Sequence, residues 1–127
     1  MQPIFNRSGK RSVCPVNAIV EIVGEQWSLL ILRDVLLLEQ FRYSEFRSAD
    51  EGVATNILAK RLKHLVDHGL IEKQRDPTDG RGSIYLATNR ALDLIPILLA
   101  MIAWSDTHQP DARKYTELTT LYVADPS

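Results

Sequence analysis

The stretch that decides the fold is Val53–Thr88, VATNILAKRLKHLVDHGLIEKQRDPTDGRGSIYLAT. Apolar residues at intervals of three and four predict a helix with one apolar stripe, made of Ile57, Leu58, Leu62, Leu65 and Val66. Gly69 is expected to end this helix. Short apolar segments at Leu70-Ile71 and Ile84-Tyr85-Leu86 predict two strands, because residues 76–82 between them are rich in Gly, Pro and Asp. A helix followed at once by a charged hairpin is the layout of a winged helix-turn-helix.

The face of the predicted helix opposite its apolar stripe is polar and cationic. It carries Thr55, Asn56, Lys60 and Lys63. Because the major groove of B-DNA admits one helix, Thr55 and Asn56 in the first turn stand where base contacts are commonest, and the two lysines can neutralise phosphates or reach guanine. The spacing alone also fits an ordinary core helix with a solvated face beside a surface hairpin.

The composition is that of an ordinary globular protein of one domain. The chain has 127 residues, of which 45% are hydrophobic and 24% charged, and its formal net charge is −1. Residues 53–90 carry seven cations and four anions, a net charge of +3, so the remainder sums to −4. Positive charge is therefore concentrated on the helix and hairpin, but the excess is small and also fits scattered surface charges.

Neither catalysis nor export is indicated. The sequence has no nucleophile motif, phosphate-binding loop or dinucleotide-binding turn, and His64, His68 and His108 lack metal-ligand spacing with Cys14, so we expect no enzyme, cofactor or metal site. The N-terminus has no apolar run, the single cysteine fits a reducing cytosol, and Leu92–Trp104 is too short to cross a bilayer. These features predict a cytoplasmic protein without a membrane partner.

Three helices are predicted before the decisive stretch. Cys14-Pro15 reads as the start of a first helix that ends at Gly24, because proline is favoured at the first helical position. A second helix, apolar almost all round, is predicted from about Glu25 to Glu39 and belongs in the core. Tyr43–Arg47 is predicted as a short third helix.

The last helix is predicted to begin after the cap residue Thr88, to run to about Thr107 and to bend at Pro96. It is apolar on most of its faces, and a domain of this size has no interior large enough to cover them all. A second copy of the chain is the simplest cover, and partial exposure on a monomer is the alternative. The residues predicted to form the homodimer interface are Leu94, Ile95, Leu98 and Ile102.

Several short segments follow one another in a characteristic order along Cys14–His108. They are Cys14-Pro15-Val16; Trp27 with Leu29-Leu30-Ile31-Leu32; Arg42-Tyr43-Ser44-Glu45-Phe46; Gly52-Val53; Leu58, Leu62 and Leu65; Gly69-Leu70-Ile71; Tyr85 with Thr88; and Leu94-Ile95-Pro96-Ile97-Leu98 with Trp104. Each is weak alone, but their joint order and spacing resemble those of the HxlR-type transcriptional regulators, a branch of the MarR-like winged helix proteins.

This resemblance implies a winged helix-turn-helix, mainly α with a small β-hairpin wing, and N- and C-terminal dimerisation helices. It also implies a homodimeric repressor or activator whose reading helices enter successive major grooves of a palindromic operator while the wings touch the flanking backbone or minor groove. The chain departs from the family in three places. Ala54 stands where Ser is usual, Ala91 stands where Gly is usual, and the wing DPTDGRGSIY is closer to the MarR acidic-basic wing than to a proline-rich one.

Further DNA contacts are predicted outside the reading helix, at Arg42, Ser44, Arg75 and Arg81. The hydroxyl at the start of the third helix can bond a phosphate. In the hairpin, Asp76 or Asp79 could instead pair Arg81 in an exposed salt bridge.

Cys14 is the residue whose side chain could be chemically reactive. A thiol at a helix N-terminus tends toward a lowered pKa, and the basic residues Arg7, Lys10 and Arg11 lie just upstream. By the resemblance, some family members with this cysteine sense oxidants or electrophiles. The alternative is a half-buried cap residue without reactivity. A response to an oxidant or small molecule is therefore a hypothesis, and the sequence does not identify the effector.

These observations predict three regions and one function. Residues 1–13 are expected to form a flexible arm, residues 14–108 the winged helix DNA-binding and dimerisation domain, and residues 109–127 a C-terminal tail. The predicted function is sequence-specific transcription regulation, with the protein binding double-stranded DNA as a homodimer. The alternative is a winged helix that makes protein–protein contacts without binding DNA.

Overall fold

The computed structural model describes residues 13–49, 51–109 and 111. These residues form six helices and one two-stranded antiparallel sheet. In chain order the elements are α1 (Pro15–Val23), α2 (Gln26–Leu37), α3 (Tyr43–Arg47), α4 (Thr55–Asp67), β1 (Ile71–Arg75), β2 (Ser83–Ala87), α5 (Asn89–Leu92) and α6 (Ile95–His108).

The core lies where α2 packs against α4 and the hairpin. Leu32 of α2 and Leu58 and Leu65 of α4 are fully buried, and Phe46 of α3 and Ile71 of β1 are each 1% exposed. Burying one such side chain stabilises the fold by about 1.5–3 kcal/mol relative to leaving it in water. One face of α4 is therefore fixed in the core, and its opposite face is directed outward.

Local signals set both ends of the first helix and the start of the second as the sequence predicts, whereas the second helix ends at Leu37, two residues before the predicted Glu39. α1 begins with Pro15 and ends at Gly24, whose N–H donates to the carbonyl of Val20. The carboxylate of Glu25 caps α2 by accepting hydrogen bonds from the backbone N–H groups of Trp27 and Ser28. The axes of α1 and α2 are bent by 83° relative to one another.

The reading helix α4 also has the predicted ends. Its N-cap is Ala54, which provides no side-chain hydrogen bond, as the replacement of Ser implies. Gly69, just past its end, has φ of +73°, a left-handed conformation that glycine adopts without a steric penalty.

The hairpin is the predicted wing, and a third segment joins its edge. β1 and β2 pair from Ile71 with Ala87 to Arg75 with Ser83. The N–H of Tyr85 donates to the carbonyl of Phe41 at 2.8 Å, and Arg42 forms an isolated antiparallel bridge with Ile84. The carbonyl of Phe41 is thus satisfied by the wing, which attaches the segment before α3 to the hairpin.

The last predicted helix is two helices. Thr88 caps α5, its hydroxyl accepting from the N–H of Ala91, but α5 ends at Leu92 and α6 begins at Ile95. Pro96 has no N–H to donate to the carbonyl of Leu92, and its ring would clash with that carbonyl. The chain therefore turns just before Pro96, where the sequence predicts only a bend within one helix.

The architecture confirms the mainly α fold with a small β-hairpin wing. The predicted arm and tail, residues 1–13 and 109–127, fall almost wholly outside the described residues. The three-region division of the chain therefore stays a prediction.

Candidate nucleic-acid interface

One face of α4 is open to solvent and polar. The structure places Thr55, Asn56, Lys60 and Lys63 there, all exposed, as their spacing predicts. The opposite side of the helix carries Leu58, Leu62 and Leu65, which are at most 2% exposed. We call the four exposed residues the reading face.

Two polar contacts hold α4 against the N-terminal helices. The Nε atom of Arg61 lies 2.7 Å from Oε2 of Glu25, the residue that caps α2. Nε2 of His64 donates to the carbonyl of Ile22 at 2.7 Å. Carbonyls in the last turn of a helix have no partner within it, so this bond satisfies one end of α1 and ties α1 to α4. Arg61 is thus a structural residue that flanks the core.

Lys63 is paired within its own helix. Its Nζ lies 2.7 Å from Oδ2 of Asp67, one turn further along. This hydrogen bond is the main reason that the pKa of Asp67 lies below its ordinary value. The two side chains are 77% and 57% exposed, so the pair adds little stability and Lys63 can exchange it for a phosphate oxygen.

Arg42 is bound to the wing. Its Nε lies 2.8 Å from Oδ2 of Asp76, and its Nη2 donates to Oγ1 of Thr78 at 3.3 Å. Asp76 is only 4% exposed, and its other oxygen accepts from the N–H and the hydroxyl of Thr78, both at 2.8 Å. The two bonds from Thr78, followed by the bond from Arg42, lower the pKa of Asp76 to about 2. In the structure Arg42 links the start of α3 to the wing, and the DNA contact predicted for Arg42 stays a prediction.

The loop of the hairpin, residues 76–82, is closed mainly by its own backbone. The N–H of Asp76 donates to the carbonyl of Gly82, and the N–H of Gly82 donates to the carbonyl of Asp79. Asp79 also accepts from the backbone N–H of Arg81 at 3.1 Å. The carboxylate of Asp76 is held by Arg42, and no ion pair of Arg81 with Asp76 or Asp79 is found among the described residues, so the alternative of an exposed salt bridge at Arg81 is not supported.

The remaining predicted DNA contacts are all exposed. Ser44 lies in the first turn of α3, Arg75 at the end of β1, and Arg81 in the hairpin loop. Within the described part of the chain, neither Arg75 nor Arg81 makes an ion pair. Their charges are therefore available to a polyanion.

A cleft of about 570 Å³ separates α4 from the wing. Its lining is Tyr43, Ala59, Leu62, Lys63, Val66, Lys73, Arg81, Gly82, Ser83 and Tyr85. Among these described residues there are three cations and no carboxylate. We call this space the wing cleft. Lys73, Ser83 and Tyr43 were not among the residues predicted from the sequence, although the pairing of Lys73 with Tyr85 across the hairpin could have placed Lys73 on the face toward α4.

Apolar side chains of α1 and α6 remain exposed on the single chain. On α6, Ile97, Met101 and Trp104 are 44%, 47% and 56% exposed, and on α1, Val16 and Val20 are 68% and 42% exposed. These five residues are called the apolar faces below.

The residues predicted for the dimer interface occupy two environments. Leu94, Ile95 and Ile102 are half-buried, whereas Leu98 is 6% exposed and lies in the core of its own chain. The turn at residues 93–94 sets the direction in which α6 leaves the domain, so Leu98 points inward and Ile97 and Met101 point outward.

The N-cap of α1 is Cys14, which is half-buried and forms no disulfide. Beside α1 runs an apolar groove of about 290 Å³, lined by Pro15, Ala18, Ile19, Ile22, Val23, Leu70, Arg90 and Leu94. Across residues 13–49 and 51–109, no group of three or more His, Cys, Asp or Glu side chains is placed to hold a metal ion.

The helical segment at the C-terminal end is longer than the apolar stretch read from the sequence. Asn89–His108 spans 20 residues with a mean hydropathy of 1.2, which suffices by length and composition to cross a bilayer. Ala91 is fully buried and Leu98 nearly so, and the segment packs against the domain core at these two positions, while most of its residues are not buried.

The domain has the parts of a winged helix-turn-helix. One side of α4 is buried in the core, the reading face is exposed on its other side, and the wing lies beside it. The model of the HxlR-like helix-turn-helix family matches residues 22–113. The chain belongs to this family. The resemblance inferred from short segments is thereby confirmed, and the fold is a winged helix-turn-helix.

Relatives support the same assignment. The uncharacterized HTH-type transcriptional regulator sll1512 of Synechocystis sp. is 33% identical over 89 residues, covering 70% of this chain and 65% of its own. The chain thus spans just under two thirds of that relative. YodB, an HTH-type transcriptional regulator of Bacillus subtilis, is 28% identical over 96 residues, which are 75% of this chain and 85% of YodB.

Solved structures have the same fold. PA1607 superposes with a TM-score of 0.72 at 35% identity, covering 84% of this chain and 74% of PA1607. The quinone-bound form of YodB superposes with a TM-score of 0.61 at 25% identity, covering 74% of this chain and 99% of YodB.

Proposed function

We propose that the protein is a sequence-specific transcription regulator that binds double-stranded DNA through α4 and the wing. The observation that carries the proposal is the reading face, which is exposed on a helix whose other side is locked into the core. Thr55 and Asn56 in the first turn offer hydrogen bonds to base edges, and Lys60 and Lys63 offer cations to phosphates. Membership of a helix-turn-helix family whose relatives are named transcriptional regulators supports this function.

The regulator acts as a homodimer on a palindromic operator. Support comes from the apolar faces, whose large side chains are exposed on two helices of the single chain. A twofold dimer would cover the same surface on both copies. It would also present two reading faces to half-sites about one helical turn apart. For α6, the burial of Leu98 within the domain favours a protein partner over a bilayer.

The effector acts through Cys14 and is an oxidant or a small electrophile. A relative, YodB, has been solved with bound quinone. In this chain Cys14 begins α1, and the bond from His64 to Ile22 connects the other end of α1 to α4. A group added at Cys14 would displace α1 and, with it, the reading face. The chain has one cysteine, so oxidation would either link two chains or attach a small thiol.

Fluorescence anisotropy with a labelled duplex, measured across a range of salt concentrations, tests DNA binding. We expect affinity to fall steeply as salt rises, because bound cations release counterions from the phosphates. Lys60→Gln should weaken binding, while Arg90→Gln, the same charge change at an exposed site on α5, should not. A wild-type protein that binds no duplex at low salt would reject the proposal in favour of a protein-docking role.

A further inference from the structure

We propose that Arg33 of α2 is a positioning residue for base recognition, because it fixes, through Glu51, the turn that leads into α4. This inference rests on the proposed function. It names a residue outside the reading face that sets the place of Thr55 and Asn56, the two members of that face in the first turn of α4.

Arg33 contacts two carboxylates at once. Its Nη1 donates to Oε2 of Glu51 at 2.7 Å and its Nη2 donates to Oε1 of Glu51 at 3.0 Å, a two-bond pair between residues 18 positions apart. Its Nε and Nη2 also donate to Oδ1 of Asp34, at 2.9 Å and 2.7 Å. Asp34 is 4% exposed, so one carboxylate holds the guanidinium at the edge of the core while the guanidinium holds the other. Two parallel bonds fix the orientation of Glu51 as well as its distance.

Glu51 lies in the turn between α3 and α4, whose described residues are 48–49 and 51–54. The N–H of Gly52 donates to the carbonyl of Ala49 at 3.0 Å, and the φ of Gly52 is +66°. This bond closes the turn on itself. Among residues 51–54, Val53 alone packs against the core, and the other three are exposed. The pair of Arg33 with Glu51 therefore attaches an otherwise exposed turn to α2.

The first turn of α4 has no capping side chain. Its N-cap, Ala54, provides no side-chain hydrogen bond, whereas Ser, Thr, Asp or Asn there would accept from a backbone N–H and hold the helix start. The hydroxyl of Tyr43 donates to the carbonyl of Thr55 at 3.4 Å, which is a long hydrogen bond. The first buried residue of α4 is Leu58, which follows the two base-reading positions. Their placement therefore depends on the preceding turn, and through it on Arg33.

Displacing the first turn of α4 should lower specificity more than general affinity. A side chain that reads a base edge must be held to within about 0.5 Å of its productive position. A lysine, by contrast, contacts a phosphate as a point charge on a flexible stem. Loss of the pair of Arg33 with Glu51 should therefore lower affinity for the operator by about tenfold, the worth of one base contact, and leave affinity for random DNA unchanged.

The experiment uses Glu51→Gln as its main variant, because Arg33→Gln would also take a charged partner from the buried carboxylate of Asp34. Affinities are measured by fluorescence anisotropy for two duplexes, one that the wild type selects from a random-sequence pool and one of random sequence. Glu51→Gln should lower the ratio of these affinities about tenfold. Arg33→Gln should lower it equally, although its melting temperature should fall further. Glu72→Gln makes the same change at an exposed site on β1 and should keep the wild-type ratio.

Hydrogen exchange in the absence of DNA measures the start of α4 directly. The N–H of Leu58 donates to the carbonyl of Ala54 at 2.9 Å in the first turn, and the N–H of His68 donates to the carbonyl of His64 at 3.0 Å at the other end. Glu51→Gln should speed exchange at Leu58 and leave it unchanged at His68, because only the first turn loses its anchor. An equal increase at both ends would show a general loss of stability and would count against the proposal.

The binding results separate the two proposals. If the wild type selects no sequence from the pool, the proposed function fails, and the positioning role with it. If the wild type selects a sequence but Glu51→Gln keeps the wild-type ratio of affinities, only the positioning role is overturned. Equal weakening on both duplexes would also overturn it, because the pair would then stabilise the fold without setting specificity. A loss confined to the selected duplex, with faster exchange at Leu58, supports the role of Arg33.

Discussion

The Nε atom of Arg42 lies 2.8 Å from Oδ2 of Asp76 and joins the residue before α3 to the first residue of the hairpin loop, 34 positions away in sequence. The backbone bridge between Arg42 and Ile84 lies beside it. Together the two contacts fix the direction in which the wing leaves the domain. The wing can then hold Arg75 and Arg81 in one place relative to the reading face.

Removing Arg42 alone should lower the stability of the fold more than removing both Arg42 and Asp76. Arg42→Gln leaves the carboxylate of Asp76, which is only 4% exposed, without its charged partner. We expect a lower melting temperature by circular dichroism. Arg42→Gln/Asp76→Asn should recover part of the loss, because no charge is left unpaired. Arg47→Gln removes an exposed cation from α3, the helix that Arg42 precedes, and should melt close to wild type. Equal melting temperatures for Arg42→Gln and Arg47→Gln would contradict the role of the pair.

Acid should remove the contribution of Asp76 to the free energy of unfolding within a defined pH range. Its pKa is about 2 in the folded protein, below the ordinary value of 3.8, so its stabilising effect is complete above about pH 4 and is lost as pH falls toward 2. The free energy of unfolding in urea should therefore differ between wild type and Asp76→Asn above pH 4. That difference should shrink between pH 4 and pH 2. A difference that stays constant over this range would show that Asp76 titrates normally.

The elements that local signals define were predictable from the sequence, and the contact between Arg42 and Asp76 was not. The spacing of Leu58, Leu62 and Leu65 and the glycine after α4 specify that helix without reference to the rest of the chain. By contrast, Arg42 and Asp76 meet only because residues 41–42 join the edge of the hairpin. From the sequence, Asp76 is closer to Arg81, so the partner considered for Asp76 was Arg81, as an alternative to a DNA contact of Arg81.

The end of the chain shows a second limit of sequence reasoning. Pro96 indicates an interruption, but the same residue fits a bent helix or the first turn of a new one. The structure has the new helix, α6, and its start determines which residues face the core. This is why Leu98 is buried while its neighbour Ile97 is 44% exposed.

Two substitutions on α6 should separate dimerisation from folding. Met101 is 47% exposed, so Met101→Glu should give a folded monomer in sedimentation experiments. Leu98→Asp places a charge in the core of the single chain and should cost several kcal/mol of stability and unfold the protein. Thr107→Glu adds the same charge to an exposed polar position of α6 and should remain a dimer. A wild type that sediments as a monomer at micromolar concentration would end the dimer proposal. A Met101→Glu variant that stays dimeric would place the interface elsewhere.

Oxidants and quinones should act on DNA binding through one side chain. We expect diamide or a quinone to lower operator affinity in gel shifts of the wild type and to leave Cys14→Ser unaffected, because Cys14 is the sole cysteine of the chain. Intact mass should show either an adduct or two linked chains. A fully modified Cys14 with unchanged operator affinity would leave this residue as a helix cap alone.

The most direct test of the account is selection of duplexes from a random-sequence pool by the wild-type protein, followed by affinity measurements with Asn56→Ala and Lys63→Ala. The account predicts enrichment of an inverted repeat whose half-sites lie about 10 base pairs apart, centre to centre. Asn56→Ala should lose about 1–3 kcal/mol on that repeat and little on random DNA, while Lys63→Ala should weaken binding to both. Failure to enrich any sequence, enrichment of a motif without twofold symmetry, or equal losses for both variants on both DNAs would contradict the claim that a dimer reads its operator through α4.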